Sequence, residues 1–77
     1  MITLEEKYTL MKKAIEYLKS ENGKSLMTNV IGSIGYIVGG KAKWEEIKEI
    51  IFELEKHGIV EIKPLWFGEY EVILKKK

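Results

Sequence analysis

The apolar residues at the start of the chain repeat with the period of an α-helix. The stripe with i, i+4, i+7 spacing consists of Leu4, Tyr8, Met11, Ile15 and Leu18, with charged residues between its members. Thr3 and Glu6 have the spacing of a capping box, and Asn22 and Gly23 tolerate the left-handed conformation that closes helices. This pattern predicts a first helix over residues 4–21.

The next apolar stretch keeps the helical spacing but has poor helix propensity. Its apolar positions are Leu26, Val30, Ile31, Ile34, Ile37 and Val38. Gly32 and Gly35 each cost about 1 kcal/mol relative to Ala in a helix interior, so tertiary packing must hold such a helix. With Ser25 as its N-cap, the stretch predicts a second helix over residues 25–38.

The third segment has the strongest amphipathic pattern in the chain. One apolar stripe contains Trp44, Ile47, Ile50, Ile51 and Leu54. Glutamates lie near its first turn, Lys56 lies near its last turn, and Gly58 supplies the C-cap position. The segment predicts a third helix over residues 42–57, with Trp44 buried against the first helix or the following hairpin.

After Gly58 the period changes to two, which is typical of strands. Residues 59–63 and 70–75 predict two strands paired antiparallel, joined by the connection from Pro64 to Gly68. The predicted fold class is therefore α+β, three helices followed by a two-stranded hairpin in one domain over residues 1–77. The expected core comprises Leu4, Tyr8, Met11, Ile15, Leu18, Val30, Ile34, Ile47, Ile51, Leu54, Val60, Ile62 and Val72.

Composition excludes several kinds of chemistry. The 77 residues include no Cys and no Asp, and His57 is the only histidine, so neither a disulfide framework nor a metal site is expected. Adjacent glutamates on an exposed helix face have nothing to raise their pKa for acid catalysis. We expect no enzymatic activity, no cofactor and no small-molecule substrate.

Charge and hydropathy limit the partners. No stretch has the roughly 20 apolar residues that span a bilayer, and the first ten residues carry two glutamates, so we expect a cytoplasmic protein with no membrane partner. The net charge is only +1, and the Lys and Glu bias resembles that of hyperthermophile proteins. Any affinity for a polyanion must come from a local arrangement of lysines.

The order of elements resembles the winged-helix family. The likeness is carried by the sequence IKEIIFELEKHGIVEIKP, in which Leu54-Glu55-Lys56-His57-Gly58-Ile59-Val60 leads from a helix directly into a hairpin. The resemblance implies that residues 25–36 form the scaffolding helix of a helix-turn-helix. It also implies that Lys41 to His57 is the helix offered to a DNA major groove and that Pro64 to Gly68 is the tip of the wing.

Duplex DNA is the first partner that the resemblance implies, in a small transcriptional regulator or an architectural factor. The candidate phosphate contacts are Lys41, Lys43, Lys48 and Lys63. However, residues 41–56 hold five Glu and four Lys and none of the Arg, Asn or Gln that usually read bases. An equally open interpretation is a solvated face with pairs such as Glu45 with Lys48.

A protein partner, or a second copy in a homodimer, is the alternative. The candidate interface residues are Phe52, Leu65, Trp66 and Phe67. Apolar side chains at a wing tip either cover the core or contact a partner, and Phe52 raises the same question because it lies off the apolar stripe of the third helix. Gly32-Ser33-Ile34-Gly35 also matches the GXXG loop of KH-type RNA binders, but it lacks the basic residue usual in that loop, and close helix packing explains its glycines.

Overall fold

The computed structural model describes residues 2–75. The elements follow the order α1 (Leu4–Ser20), β1 (Lys24–Leu26), α2 (Met27–Ile34), α3 (Trp44–Lys56), β2 (Val60–Pro64) and β3 (Tyr70–Leu74). Two short 3-10 turns, Gly35–Val38 and Trp66–Gly68, follow α2 and β2. The fold is thus α+β, with three helices and a three-stranded antiparallel sheet.

Helix α1 begins and ends at the residues that the sequence indicates. The Thr3 hydroxyl accepts the Glu6 amide at 3.1 Å, and the Glu6 carboxylate accepts the Thr3 amide at 2.9 Å, which completes the predicted capping box. At the other end, Asn22 and Gly23 have φ values of 62° and 88°, and the Gly23 amide donates to the Leu18 carbonyl. The chain then turns back toward the sheet.

A third strand precedes α2, which corrects the predicted two-stranded hairpin. Lys24–Leu26 pairs with β3, and the sheet order is β1-β3-β2. Ser25 lies opposite Val72 in this strand and is not a helix cap, so α2 begins at Met27. The regular helix also ends earlier than predicted, at Ile34, where a 3-10 turn continues to Val38.

The later elements agree closely with the sequence. Helix α3 lies inside the predicted range, and its first turn is closed by Glu46, whose carboxylate accepts the Lys43 amide at 3.1 Å. Strands β2 and β3 pair antiparallel with Ile62 opposite Val72, and both side chains are buried. The confirmed hairpin places its apolar face against the helices.

The core is entirely apolar over the described residues. Its buried members are Leu10, Met11, Ala14, Leu18, Met27, Val30, Ile31, Ile34, Val38, Ile47, Ile50, Ile51, Leu54, Val60, Ile62 and Val72. Two predicted core residues are wrong, since Leu4 and Tyr8 are 63% and 56% exposed, and Ile15 is only partly buried. The buried stripe of α1 is rotated toward Leu10 and Ala14, which face α2 and α3.

Trp44 is a further correction. The third-helix stripe predicts a buried side chain, but Trp44 is 45% exposed. It occupies the first position of α3, where its side chain points back past the N-terminal end of the helix, and the buried stripe begins one turn later at Ile47. The domain therefore closes its core without either tryptophan.

Candidate interaction surface

The connection between β2 and β3, residues Leu65–Gly68, is called the hairpin tip. The Leu65 amide donates to the Glu69 carbonyl at 2.7 Å, and the Glu69 amide donates to the Trp66 carbonyl at 3.2 Å, so both ends of the turn are hydrogen-bonded. Phe67 and Gly68 both have left-handed backbones, with φ values of 61° and 77°. Glycine adopts this conformation freely, whereas a bulky aromatic residue adopts it at a cost.

The hairpin tip presents apolar side chains to solvent. Leu65 is 42% exposed, Trp66 80% and Phe67 fully exposed. The Trp66 and Phe67 rings contact each other, with centroids 6.4 Å apart and planes tilted by 50°. The sequence leaves open whether these side chains cover the core or face outward; in the structure they face solvent, and no side chain of the hairpin tip folds back into the core.

A carboxylate next to the hairpin tip fastens it to the helices. One Glu69 oxygen accepts the Thr28 hydroxyl at 2.7 Å, and the other accepts the Tyr70 amide at 2.9 Å. The Thr28 bond is the main cause that holds the pKa of Glu69 below its ordinary value of 4.5, and nearby Lys48 adds a smaller lowering effect. A side-chain hydrogen bond therefore links the residue after the hairpin tip to the first turn of α2.

Aromatic and cationic groups link α3 to the same hairpin. The Phe52 ring packs edge-on against Tyr70, with centroids 5.3 Å apart, and the Lys48 ammonium lies 4.9 Å from the centroid of the Tyr70 ring. Phe52 is accordingly half-buried. The alternative pairing of Lys48 with Glu45 is not formed among the ion pairs of residues 2–75.

The four candidate phosphate-binding lysines lie on three different segments. Lys41 and Lys43 precede α3, Lys48 is on α3, and Lys63 is on β2. Lys41 binds the Glu6 carboxylate at 3.1 Å, and Lys63 is the register partner of Glu71. Lys48 has Glu69 and Tyr70 as neighbours. Of the four, only Lys41 forms an ion pair within residues 2–75.

The surface of α3 is acidic where it meets α1. A shallow groove of about 190 Å³ is lined by Ile2, Lys7, Glu46, Glu49, Ile50 and Glu53. Lys7 binds Glu53 at 2.7 Å, and this hydrogen bond is the main cause that lowers the pKa of Glu53. Glu45 and Glu49 are exposed on the outward side of the helix. A polyanion approaching this side would meet carboxylates first.

The anchoring residues Thr28 and Glu69 were missed by the sequence analysis. Their contact joins positions 41 residues apart, and neither has a local signal that differs from an ordinary surface residue. The Gly-Glu-Tyr order only marks the start of a strand. A prediction of this contact would have required the sheet order, which depends on β1.

Other kinds of site receive no support from the geometry. Residues 2–75 contain no group of three or more His, Asp, Glu or Cys side chains placed to hold a metal ion. None of the helices in that range is long and apolar enough to cross a bilayer. Gly32 and Gly35 lie in α2 and at its C-terminal end rather than in a loop between helices. No known protein family matches this chain, and neither a curated protein nor a solved structure shows significant similarity to it.

Proposed function

We propose that this chain is a winged-helix protein-interaction domain and that its hairpin tip, as the wing, inserts into an apolar pocket of a protein partner. The observation that carries the proposal is Phe67, which is fully exposed although its backbone is held at φ 61°. Such strained positions cost of order 1–3 kcal/mol and persist where the surrounding structure imposes them, often at binding sites. Phe67 gives the domain no buried surface in return.

The anchoring of the hairpin tip supports the same proposal. The Glu69 bond to Thr28 and the two backbone bonds across the turn hold the backbone that carries the aromatic pair. Preorganised aromatic side chains lose little conformational entropy on binding, and Trp is among the residues that contribute most to protein interfaces. The hairpin tip therefore has the properties of an interface anchor.

The charges of α3 argue for a protein partner over duplex DNA. Its outward side carries Glu45 and Glu49, and carboxylates there would lie close to phosphates if the helix entered a major groove. Lys41 already binds the Glu6 carboxylate, and Lys63 lies opposite Glu71 in the sheet. Releasing Lys41 for a phosphate contact would leave Glu6 near the DNA backbone.

Site-specific photo-crosslinking tests the proposal. A photoreactive phenylalanine analogue at position 67 should give a discrete protein adduct in an extract of the source cells, and the adduct should survive nuclease treatment. The same analogue at position 36 is the matched control, because Tyr36 is a largely exposed aromatic residue outside the hairpin tip. Purified partner should then bind Trp66→Ala, Phe67→Ala at least about a hundredfold more weakly than wild type, as for loss of an interface hot spot. An adduct that forms equally from position 36, or that nuclease removes, contradicts the proposal.

Duplex DNA is retained as the second candidate because of Lys43. Its side chain is exposed at the start of α3, the hairpin lies beside the same helix, and Lys43 forms none of the ion pairs within residues 2–75. Each phosphate contact contributes about −0.9 to the slope of log K against log salt. If DNA is the partner, Lys43→Ala, Lys48→Ala should flatten the slope for all duplex sequences, whereas Lys12→Ala on α1 should leave it unchanged. Affinity equal to that of an unrelated protein of similar charge would remove this candidate.

A further inference from the structure

The outer edge of β2 has backbone groups that no strand of the domain pairs. Strand β3 lies between β1 and β2, so β2 is an edge strand. The Leu65 amide donates to the Glu69 carbonyl, and the Lys75 amide donates to the Ile59 carbonyl. The backbone N–H and C=O groups of the odd-numbered residues along β2 therefore point toward β3. In an antiparallel ladder the intervening residues direct their backbone groups the other way. The outer edge is therefore formed by Val60, Ile62 and Pro64; Val60 is fully buried and Ile62 is only 9% exposed, so the edge is covered in this conformation.

Two residues hinder another strand from pairing with this edge. The Glu55 side chain reaches from α3 and accepts the Ile62 amide at 3.0 Å. Pro64 has no amide hydrogen to offer. Exposed strand edges pair readily with other chains, and charged side chains and proline are the usual means of preventing this. The Ile62 amide, the central hydrogen-bond donor of this edge, is thus already bonded to a carboxylate of the same chain.

We propose that the outer edge of β2 is a pairing surface for a second copy of this chain and that Glu55 controls access to it. In a two-fold antiparallel pairing centred on Ile62, each Ile62 amide would bond to the Ile62 carbonyl of the other copy. Glu61 would then lie opposite Lys63 of the other copy, and both side chains are exposed. Opposite charges directly across an antiparallel pair stabilise it.

Charge also selects this register over its neighbours. Sliding one strand by two residues places Glu61 opposite Glu61, or Lys63 opposite Lys63, and like charges at opposed positions are destabilising. The Ile62-centred register is the one in which both oppositely charged pairs form. It also requires the Ile62 amide, which becomes available only when Glu55 releases it. This inference does not depend on the proposed function, because the hairpin tip takes no part in the pairing.

Sedimentation of the whole chain tests the proposal. Glu55→Ala removes the carboxylate, and Glu55→Asp keeps the charge but shortens the side chain that must reach β2. Both should self-associate at least about tenfold more tightly than wild type, because a hydrogen bond to a charged group that now competes with pairing has been removed. Glu49→Ala, an exposed position on the same helix, is the matched control and should behave as wild type.

A charge reversal identifies the surface. Adding Lys63→Glu to Glu55→Ala sets carboxylates opposite each other and should return association to the wild-type level, and adding Glu61→Lys as well should restore the dimer. The proposal is wrong if both Glu55 variants associate as wild type does, or if Lys63→Glu leaves their dimer unchanged. If both Glu55 variants unfold, the charge reversal is tested in the otherwise native chain at high concentration. There Lys63→Glu must weaken dimerisation, and the combination of Lys63→Glu with Glu61→Lys must restore it.

Discussion

At the scale of single residues, Asn22 and Phe67 have almost the same positive φ but very different suitability for it. Their φ values are 62° and 61°. Asparagine is enriched at such left-handed positions because its short polar side chain bonds locally, whereas a bulky aromatic residue is an outlier there. Asn22 therefore serves the end of α1 at little cost, and Phe67 stores strain in the hairpin tip.

This comparison predicts the effect of Phe67→Asn on stability. The exposed ring contributes no buried surface, and asparagine relieves the backbone strain, so the free energy of unfolding should stay the same or rise by up to about 1 kcal/mol in denaturant titrations. Gly68→Ala is the control and should lower stability by about 1 kcal/mol, because its φ is 77°. A loss of more than about 1 kcal/mol in Phe67→Asn would mean that the ring packs within the domain.

The bond between Thr28 and Glu69 predicts a pH dependence. The hydroxyl lowers the pKa of Glu69 in the folded state, so this contact stabilises the protein above pH 4.5 and its contribution is lost as the pH falls through the lowered value. Thr28→Val should raise the pKa of Glu69 toward 4.5 in a carboxyl NMR titration. The difference in unfolding free energy between Thr28→Val and wild type should shrink below pH 4.5.

Thr9→Val is the matched control for this titration. The Thr9 hydroxyl donates to the backbone carbonyl of Glu5, so the same chemical change removes a hydrogen bond without touching a carboxylate. Its effect on stability should not vary with pH. An unshifted pKa of Glu69 in Thr28→Val would show that the hydroxyl does not bind this carboxylate in solution.

At the scale of elements, the helices and strands that could be predicted from the sequence are those with strong local signals. The first helix, the third helix and the hairpin have long periodic patterns with caps, and their bounds differ from the structure by at most two residues. Strand β1 has three residues and no period of its own. It exists because Ser25 pairs with Val72, 47 positions later, and no local pattern around Ser25 carries that information.

One glycine inside α2 and one in the turn that follows it give a prediction at this scale. Gly32 lies inside α2, is exposed, and a Cβ added there meets nothing within 4 Å. Gly32→Ala should raise the free energy of unfolding by about 0.5–1 kcal/mol, since alanine restricts the unfolded chain and favours the helix. Gly39→Ala should instead destabilise, because its φ is 55°. Destabilisation by Gly32→Ala would indicate that the backbone there is not helical in solution.

At the scale of the whole molecule, stability rests on a small apolar core. Domains of this size have a free energy of unfolding of roughly 0.05–0.15 kcal/mol per residue, which is about 4–12 kcal/mol for this chain. The described residues contain no buried polar or charged side chain and no cysteine, so packing supplies most of that margin. Single core substitutions therefore remove a large share of it.

Ile51 and Trp44 provide the corresponding test. Ile51 is fully buried, and Ile51→Ala should lower the free energy of unfolding by about 2–5 kcal/mol, so that the variant is close to unfolding. Trp44→Ala should cost less than the roughly 3–5 kcal/mol of a core tryptophan, because nearly half of the side chain is exposed. Thermal denaturation followed by circular dichroism gives both values. A larger loss for Trp44→Ala than for Ile51→Ala would contradict the structure.

The candidate site, like the fold, has parts that could be predicted from the sequence and parts that could not. The sequence left open whether the aromatic side chains are exposed, although the turn that carries them could be predicted from Pro64 and Gly68. The groups that hold this turn could not, because Thr28 and Glu69 meet only after β1 has joined the sheet. The acidic outward side of α3 was visible in the sequence, but the pairing of Lys41 with Glu6 across two elements was not.

The position of β3 between β1 and β2 affects how the domain can fold during synthesis. The central strand of the sheet is the last described element to leave the ribosome, so β1 and β2 have no partner until residues 70–74 have emerged. The three helices are synthesised before this strand, so their apolar faces stay partly exposed until it has emerged. Since domains generally fold as units, a nascent chain stalled before Tyr70 should be protease-sensitive, and protection should appear abruptly once Leu74 clears the exit tunnel.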